Sequence, residues 1–379
     1  MRMSIVRLNN RFFEGRMPMP ESNDADIDVI AVTGACAQER GSCARSIAEA
    51  RGFVFVPAEQ TGQGLEAVDR AVNLMRKAIR VPGVVLEYPL EVPVMEIVGS
   101  LTAPEAGTTL IDLVCVLDVG CMLADLDSEE FIRVPLTSDA NDGGVITSRA
   151  ELLVAQIEFA STIAVVNGRS LQPKVLERAT SLLSHLAPSA EQRLVANLCS
   201  RHGRDGLGGR DGLEVPGRTG RTYAQRPPDA GWVAILNQEF PPQRQSCVVE
   251  AIRYEQYRPF HPGRLHHALQ ACLFQGHCGH ILRSAGFARL ATRPHITAQW
   301  DQVGRIFTLS PLALDDSLGA EDEFLAFGQD LAFIGTGLDE LRLRQVLDEV
   351  ALSDAELEAG PMEWAGFPDQ FPAWSTTAR

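Results

Sequence analysis

The chain has 379 residues, a net charge of -15 and 45% hydrophobic residues. That length suits about two domains of ~150 residues, with enough apolar material for a sizeable core. The acidic balance excludes a general affinity for nucleic acid, sequence-specific DNA binding included. No apolar run approaches the ~20 residues that span a bilayer, and no secretory-type apolar core opens the chain. The eight cysteines are scattered with no CxxC pair, as expected of reduced thiols in a cytoplasmic protein.

Residues 1–26 are polar and read as a mobile arm. Asp28–Thr33 is a short, mostly apolar run of buried parallel-strand type, ended by Gly34. Ser42–Arg51 is helical in composition, with Ser42 as its candidate N-cap. Phe53–Pro57 and Gly83–Glu87 read as strands on either side of a helix over Leu65–Ile79. Further strands are expected at Leu110–Val119 and Thr162–Asn167, and helices at Ala150–Phe159 and Val175–Leu186. Alternating strands and helices predict a doubly wound parallel sheet, with any ligand in the loops at the carboxyl ends of the strands.

Residues 200–228 break this pattern with six arginines and seven glycines among few apolar residues, the composition of a flexible linker. Gly231–Leu236 opens a second domain. Val248–Tyr254 alternates as a half-buried strand, and Pro259 and Pro262 bound the turn after it. Leu265, Leu269 and Leu273 then share a helical face. Strands are expected at Phe287–Thr292 and Arg305–Leu309. Two closing helices follow, at Asp339–Val350 and from Ser353, where Ser353 and Glu356 form a capping box.

The segments RPFHPGRL (258–265), LRSAGFARLATRP (282–294) and GPMEWAGFPDQFPAW (360–374) resemble the C-terminal domain of the CobW-type family of metal-handling GTPases. The resemblance covers roughly residues 231–374. It implies an α/β first domain with the doubly wound, P-loop NTPase-like parallel sheet, followed by a smaller α+β C-terminal domain. The expected organisation is an arm at 1–26, a degenerate P-loop domain at 27–199, a Gly/Arg-rich linker at 200–230 and the CobW-type domain at 231–379. The resemblance also implies GTP with magnesium, zinc, and a metal-dependent protein target. VCVLDVGCML and AQIEFASTIAVVN resemble a branch of the family that recruits a hibernation factor to the ribosome under zinc limitation.

The nucleotide markers of that family are eroded. A phosphate loop needs G-x-x-x-x-G-K-[ST], where glycine backbone amides and a lysine hold the phosphates and the hydroxyl holds magnesium. Here the matching stretch runs from Gly34 to Cys43, with Gly41 followed by Ser42 in the lysine's place and Cys43 in the hydroxyl's. Two of the 34 basic residues, Lys77 and Lys174, are lysines, and neither precedes this loop. Arg40 or Arg45 could supply the counter-charge instead. The guanine-reading N-K-x-D is Asn167-Gly168-Arg169-Ser170, without the aspartate that accepts two base hydrogen bonds. Around Glu59–Asp69 the family's C-x-C-C segment has no cysteine. Glu87 and Asp118 end strands and are candidates to hold magnesium through water, or to accept turn amides. Gly34, Gly41, Ser42, Cys43, Glu87, Asp118 and Asn167 are therefore the candidate cofactor-binding residues, and no residue stands out as catalytic.

Six of the eight histidines lie in the second domain. Within the cluster there, His277, Cys278 and His280 are the candidate zinc ligands, since imidazole and thiolate suit that ion. The alternative is a set of fold elements, with His261 belonging to the Pro-bounded turn. Arg258 and Arg264, flanking that turn, are expected to pair with carboxylates or backbone carbonyls. These residues predict weak or lost GTP hydrolysis in a zinc-homeostasis protein, or an adaptor that docks a protein or the ribosome.

Overall fold

The computed structural model describes residues 26–62, 67–68, 70–71, 81–135, 144–168, 171–195, 223, 229–240, 248–315 and 328–374. Nearly all of the expected arm, most of the expected helix Leu65–Ile79 and nearly all of the expected linker lie outside them. The chain divides into two compact units, with the boundary in the sequence between Ala230 and Gly231.

The first unit begins with β1 (Ile27–Thr33), α1 (Ala37–Arg51), β2 (Val54–Val56), α2 (Ala58–Thr61), β3 (Val84–Glu87), α3 (Val94–Thr102) and β4 (Thr108–Asp118). After α4 (Met122–Leu126) comes an antiparallel hairpin, β5 (Phe131–Val134) and β6 (Val145–Ser148). The unit closes with α5 (Arg149–Glu158), β7 (Thr162–Val166), α6 (Pro173–Leu186) and β8 (Glu191–Leu194). Six strands pair in parallel in the order β2-β3-β1-β4-β7-β8.

Both faces of this sheet are covered, which is why β1 reads as an unbroken apolar run. Val29 and Ala31 join a core with Leu86, Ile97 and Leu101, while Ile30 and Val32 join another with Ile47, Val116 and Val166. From β1 the chain steps outward past the position of β3 to β2, whereas from β3 it crosses to β4 on the other side. The crevice where such paths diverge, beyond the carboxyl ends of β1 and β3, is where open sheets of this type take ligands.

Helix α1 starts five residues before the predicted Ser42, because Ala37, Gln38 and Glu39 sustain a helical turn and Gly41 is accommodated inside it. Cys36, not Ser42, is the N-cap, and it makes no side-chain cap bond. Tyr223, inside the expected linker, is buried against the first unit's core, and its hydroxyl donates to the Phe159 carbonyl at 2.7 Å.

The second unit runs α7 (Gly231–Leu236), β9 (Val249–Gln256), α8 (Pro262–Ala268), a π-turn (Leu269–Leu273), β10 (His280–Ala288), β11 (Ile296–Val303), β12 (Ile306–Leu314), β13 (Gln329–Thr336), α9 (Glu340–Val350), α10 (Asp354–Ala359) and α11 (Pro361–Trp364). Its five strands are antiparallel in the order β12-β11-β10-β13-β9. The strand expected at Phe287–Thr292 is β10, displaced towards the N-terminus. Its polar Arg283 and Ser284 are buried because Asp301 and Gln302 on the neighbouring strand satisfy them.

The RPFHPGR turn is the stitch of this unit. The Phe260 amide donates to Arg289 and the Ala291 amide to Phe260, at 2.8 and 2.9 Å. The Phe260 ring is wholly buried between Tyr254 and Trp300. His261 caps α8, its Nδ1 accepting from the Arg264 amide at 3.3 Å, and its ring stacks on Phe367 at 4.5 Å. Arg264 grips Glu356 with two bonds of 2.7 and 2.8 Å and also donates to the Ala351 carbonyl. Ser353 and Glu356 close the expected capping box. Arg258 donates to the Leu352 carbonyl and to Asp354. The flanking arginines thus pair with carboxylates and cap carbonyls at once.

The Arg264 guanidinium, and then the Ser353 amide and hydroxyl, hold the Glu356 carboxyl down at about 2 from an ordinary 4.5. A carboxyl held lower in the folded chain than in the unfolded one adds stability that is complete above its ordinary value. That contribution fades as pH falls through about 2. The expected outcome is a melting temperature that declines between pH 4.5 and about 2, with a shallower decline in Arg264→Gln. Parallel slopes for the two proteins would show that this pair does not set the acid limit.

Candidate functional site

The crevice beyond β1 and β3 is built from four segments. Parallel pairing sets Val32 opposite Glu87, so the loop after β1 and the end of β3 lie side by side. The link from β1 to α1 is three residues, Gly34 to Cys36. Gly34 has φ +137°, and a Cβ there would collide with the Val116 carbonyl oxygen, so only glycine lets the chain leave β1 so close to β4.

Arg40, on the first turns of α1, folds back into the crevice and is 4% exposed. Its Nη1 donates to the Gly34 carbonyl at 2.7 Å and its Nε to Glu87 Oε1 at 3.0 Å. The other oxygen of Glu87 accepts from the Ala58 amide at 3.3 Å, and the Glu87 carbonyl accepts from the Thr61 hydroxyl at 2.8 Å. Glu87 is 5% exposed. The ion pair therefore sits in a low-dielectric pocket in which each partner depends on the other.

Of the predicted residues, Gly34, Gly41 and Glu87 come together here. A Cβ on Gly41 would stand 3.3 Å from Glu87 Oε1, so the glycine leaves room for the carboxylate. Ser42 and Cys43 lie in the middle of α1, away from any loop. Cys43 is wholly buried in the sheet core, where burial pushes its thiol up to about 12. Arg45 lies over the Phe55 ring, 5.4 Å from its centroid.

Asp118 and Asn167 meet at the ends of the neighbouring strands β4 and β7. The Asn167 amide donates to Asp118 Oδ2 at 2.8 Å, and the Gly120 amide donates to Oδ1 at 2.8 Å. Asp118 is thus the strand-end acid satisfied by amides. Asn167 itself adopts φ +59°, a left-handed conformation asparagine tolerates. Arg169 and Ser170 lie outside the described residues.

Two residues that sequence reasoning passed over border this end of the sheet. Cys36 and Cys121 are the N-caps of α1 and α4, each three residues past a strand end. Burial raises the Cys36 thiol, and the charges of Glu39, Asp118 and Asp125 raise it further. Cys121 is raised by burial and by the same carboxylates. The signal that could have found them is the recurrence of a cysteine at the same offset after two adjacent strands.

In the second unit, Cys278 points into the core while His277 and His280 are exposed. Among the described residues no three His, Cys, Asp or Glu side chains come together as a metal ion would need.

A doubly wound parallel sheet with its crevice at the strand ends, followed in the chain by an antiparallel-sheet unit, defines a protein of α/β class with an α+β C-terminal unit. Residues 249–351 match the cobalamin synthesis protein CobW C-terminal domain. The chain is 23% identical over 297 residues to the zinc-regulated GTPase metalloprotein activator 1 of Dictyostelium discoideum. That alignment takes in 72% of this chain and 58% of the relative, so the chain spans little more than half of the relative's length. Two solved structures are also similar. One is the zinc(II)-bound YjiA GTPase from E. coli, at 14% identity, TM-score 0.31, covering 86% of this chain and 99% of that one. The other is a zinc(II)-bound triple mutant of YjiA GTPase, at 13% identity, TM-score 0.34 and the same coverage. The sheet order by itself defines the fold.

The buried pair makes a direct prediction. Arg40→Ala strands the Glu87 carboxylate in the crevice and should cost about 3–5 kcal/mol in urea unfolding. Arg40→Met combined with Glu87→Gln removes both charges and should recover most of that loss. Additive losses in the double variant would mean the two side chains act independently.

Proposed function

We propose that this chain serves zinc homeostasis as a CobW-type protein that acts on a protein partner and has weak or no GTP turnover. The observation that carries this reading is the Arg40–Glu87 pair closing the phosphate side of the crevice. A triphosphate there needs backbone amides and a cation turned towards it. Instead the Arg40 guanidinium is bound to Glu87 and the Gly34 carbonyl. A phosphate group entering the crevice would have to compete with the buried Glu87 carboxylate for Arg40. GTP with magnesium therefore does not fit these residues as arranged, and no step of the function is routed through it.

The name of the Dictyostelium relative, a zinc-regulated activator of metalloproteins, supports a protein target. Zinc held by His277, Cys278 and His280 would require the buried Cys278 thiol to leave the core. The reading accordingly places the metal with the partner. The closed crevice supports a second reading equally well, an adaptor that recruits a ribosome hibernation factor under zinc limitation.

Calorimetric titration of the full chain with magnesium GTP should give no saturable heat up to millimolar nucleotide. Micromolar affinity, or hydrolysis above the buffer rate, would overturn the loss of turnover. A strain lacking the chain should grow more slowly than its parent only when zinc is chelated; equal growth would remove the zinc assignment. Co-sedimentation with ribosomes confined to zinc-starved cells would select the adaptor reading over the first.

A further inference from the structure

A cavity of about 330 Å3 opens in the second unit, far in sequence from the strand-end crevice and independent of the function proposed above. Its size falls at the lower end of the range of small-molecule sites, about 300–1,000 Å3. Leu269, Leu273 and Phe274 of the π-turn form one wall, and Ile281, Trp300 and Phe333 of the sheet form the other. The π-turn is defined by wide i to i+5 bonds, with the Phe274 amide donating to Leu269 at 3.1 Å and the His277 amide to Cys272 at 3.2 Å. Such turns occur mostly as single insertions in helices and concentrate at functional sites, because the extra residue costs stability.

The buried polar side chains of the lining, Ser284, Trp300 and Gln302, bond one another and nearby carbonyls. Trp300 Nε1 donates to the Ser284 hydroxyl at 2.8 Å, and that hydroxyl donates to Gln302 Oε1 at 2.7 Å. The Gln302 amide in turn donates to the carbonyls of Ile281 and Gly304. This network fixes the Trp300 ring and leaves an apolar interior that makes no polar demand on its occupant. The titratable side chains lining the cavity are His280 and Arg305, both exposed, and no Asp or Glu lines it. An apolar lining with one exposed guanidinium and no carboxylate complements a ligand with an apolar ring and a carboxylate.

The exposed large apolar residues of the described chain, such as Tyr257, Leu341 and Met362, do not line this cavity. A protein partner anchored here would need an apolar apron around the mouth. From these features we propose that the cavity binds a small amphiphilic carboxylic acid, its cyclic or branched apolar body against Trp300 and Phe274 and its carboxylate at Arg305.

Indole-3-acetate and uncharged indole, titrated into the full chain by calorimetry, test the proposal. Indole-3-acetate should bind saturably. Leu273→Trp fills the cavity and should weaken it at least about tenfold at an unchanged melting temperature. Arg305→Gln should weaken indole-3-acetate by roughly fivefold, the size of an exposed ion pair, and leave indole unchanged. Should Leu273→Trp fail to fold, the comparison of acid with indole in Arg305→Gln decides alone. Absence of binding by both probes at millimolar concentration overturns the proposal. So does wild-type affinity in a folded Leu273→Trp, or an equal loss for both probes in Arg305→Gln.

Discussion

The end of the parallel sheet is organised by one buried ion pair. A guanidinium removed from water needs its hydrogen-bond donors met, and a carboxylate its acceptors. Arg40 donates to Glu87 and to the Gly34 carbonyl, and Glu87 accepts from the Ala58 amide as well. Arg40 reaches Glu87 from the first turns of α1, and so ties that helix to the end of β3. It also fixes the short turn after β1, whose carbonyl the same guanidinium holds. A lysine at this position could give charge but not two bonds in a planar fork. The substitution of one cation type for another therefore changes the geometry as well as the chemistry of the crevice.

The same fork chemistry runs through the second unit. Arg253 binds Asp330, Arg264 binds Glu356 and Arg289 binds Asp315, each through two bonds between 2.7 and 2.9 Å. Arg293 lies over Trp374 at 4.1 Å and donates to the carbonyls of Phe371 and Pro372. Arg264 thus ties the turn at 258–264 to α10, and Arg293 ties residues 371–374 to the segment after β10. A chain that relies on bidentate and stacked cations has little use for lysine, whose compact ammonium does neither. The composition and the architecture of this unit thus have a common cause.

Local pattern was enough wherever local chemistry decided the structure. The apolar run at β1, the capping box at Ser353 and the leucine face from Leu265 all follow from short-range periodicity and capping. Strand β8, with the sequence EQRL, is an exposed edge strand and carries no apolar signal at all. Strand β10 was read too late in the chain because Arg283 and Ser284 look like surface residues. Asp301 and Gln302, which make their burial tolerable, lie 18 residues away. Strands β11 and β13 were missed for a related reason, since ITAQWDQV and QDLAFIGT alternate imperfectly and depend on their neighbours for burial.

The candidate site divides along the same line. That lysine is absent from the loop is written in the sequence, and so is the loss of the guanine-reading aspartate. What replaces them is not, because Arg40 and Glu87 are 47 residues apart and either could have faced solvent. Reading a lost residue as an empty place assumes that the rest of the loop stays put. Here helix stands where loop is expected, Gly41 leaves packing space for a carboxylate, and Cys43 lies in the core. Restoring a lysine at Ser42 would then put an ammonium on the second turn of a helix, with Arg40 still bound to Glu87. A phosphate group in this crevice would therefore have to take Arg40 from Glu87, whichever side chain stood at position 42.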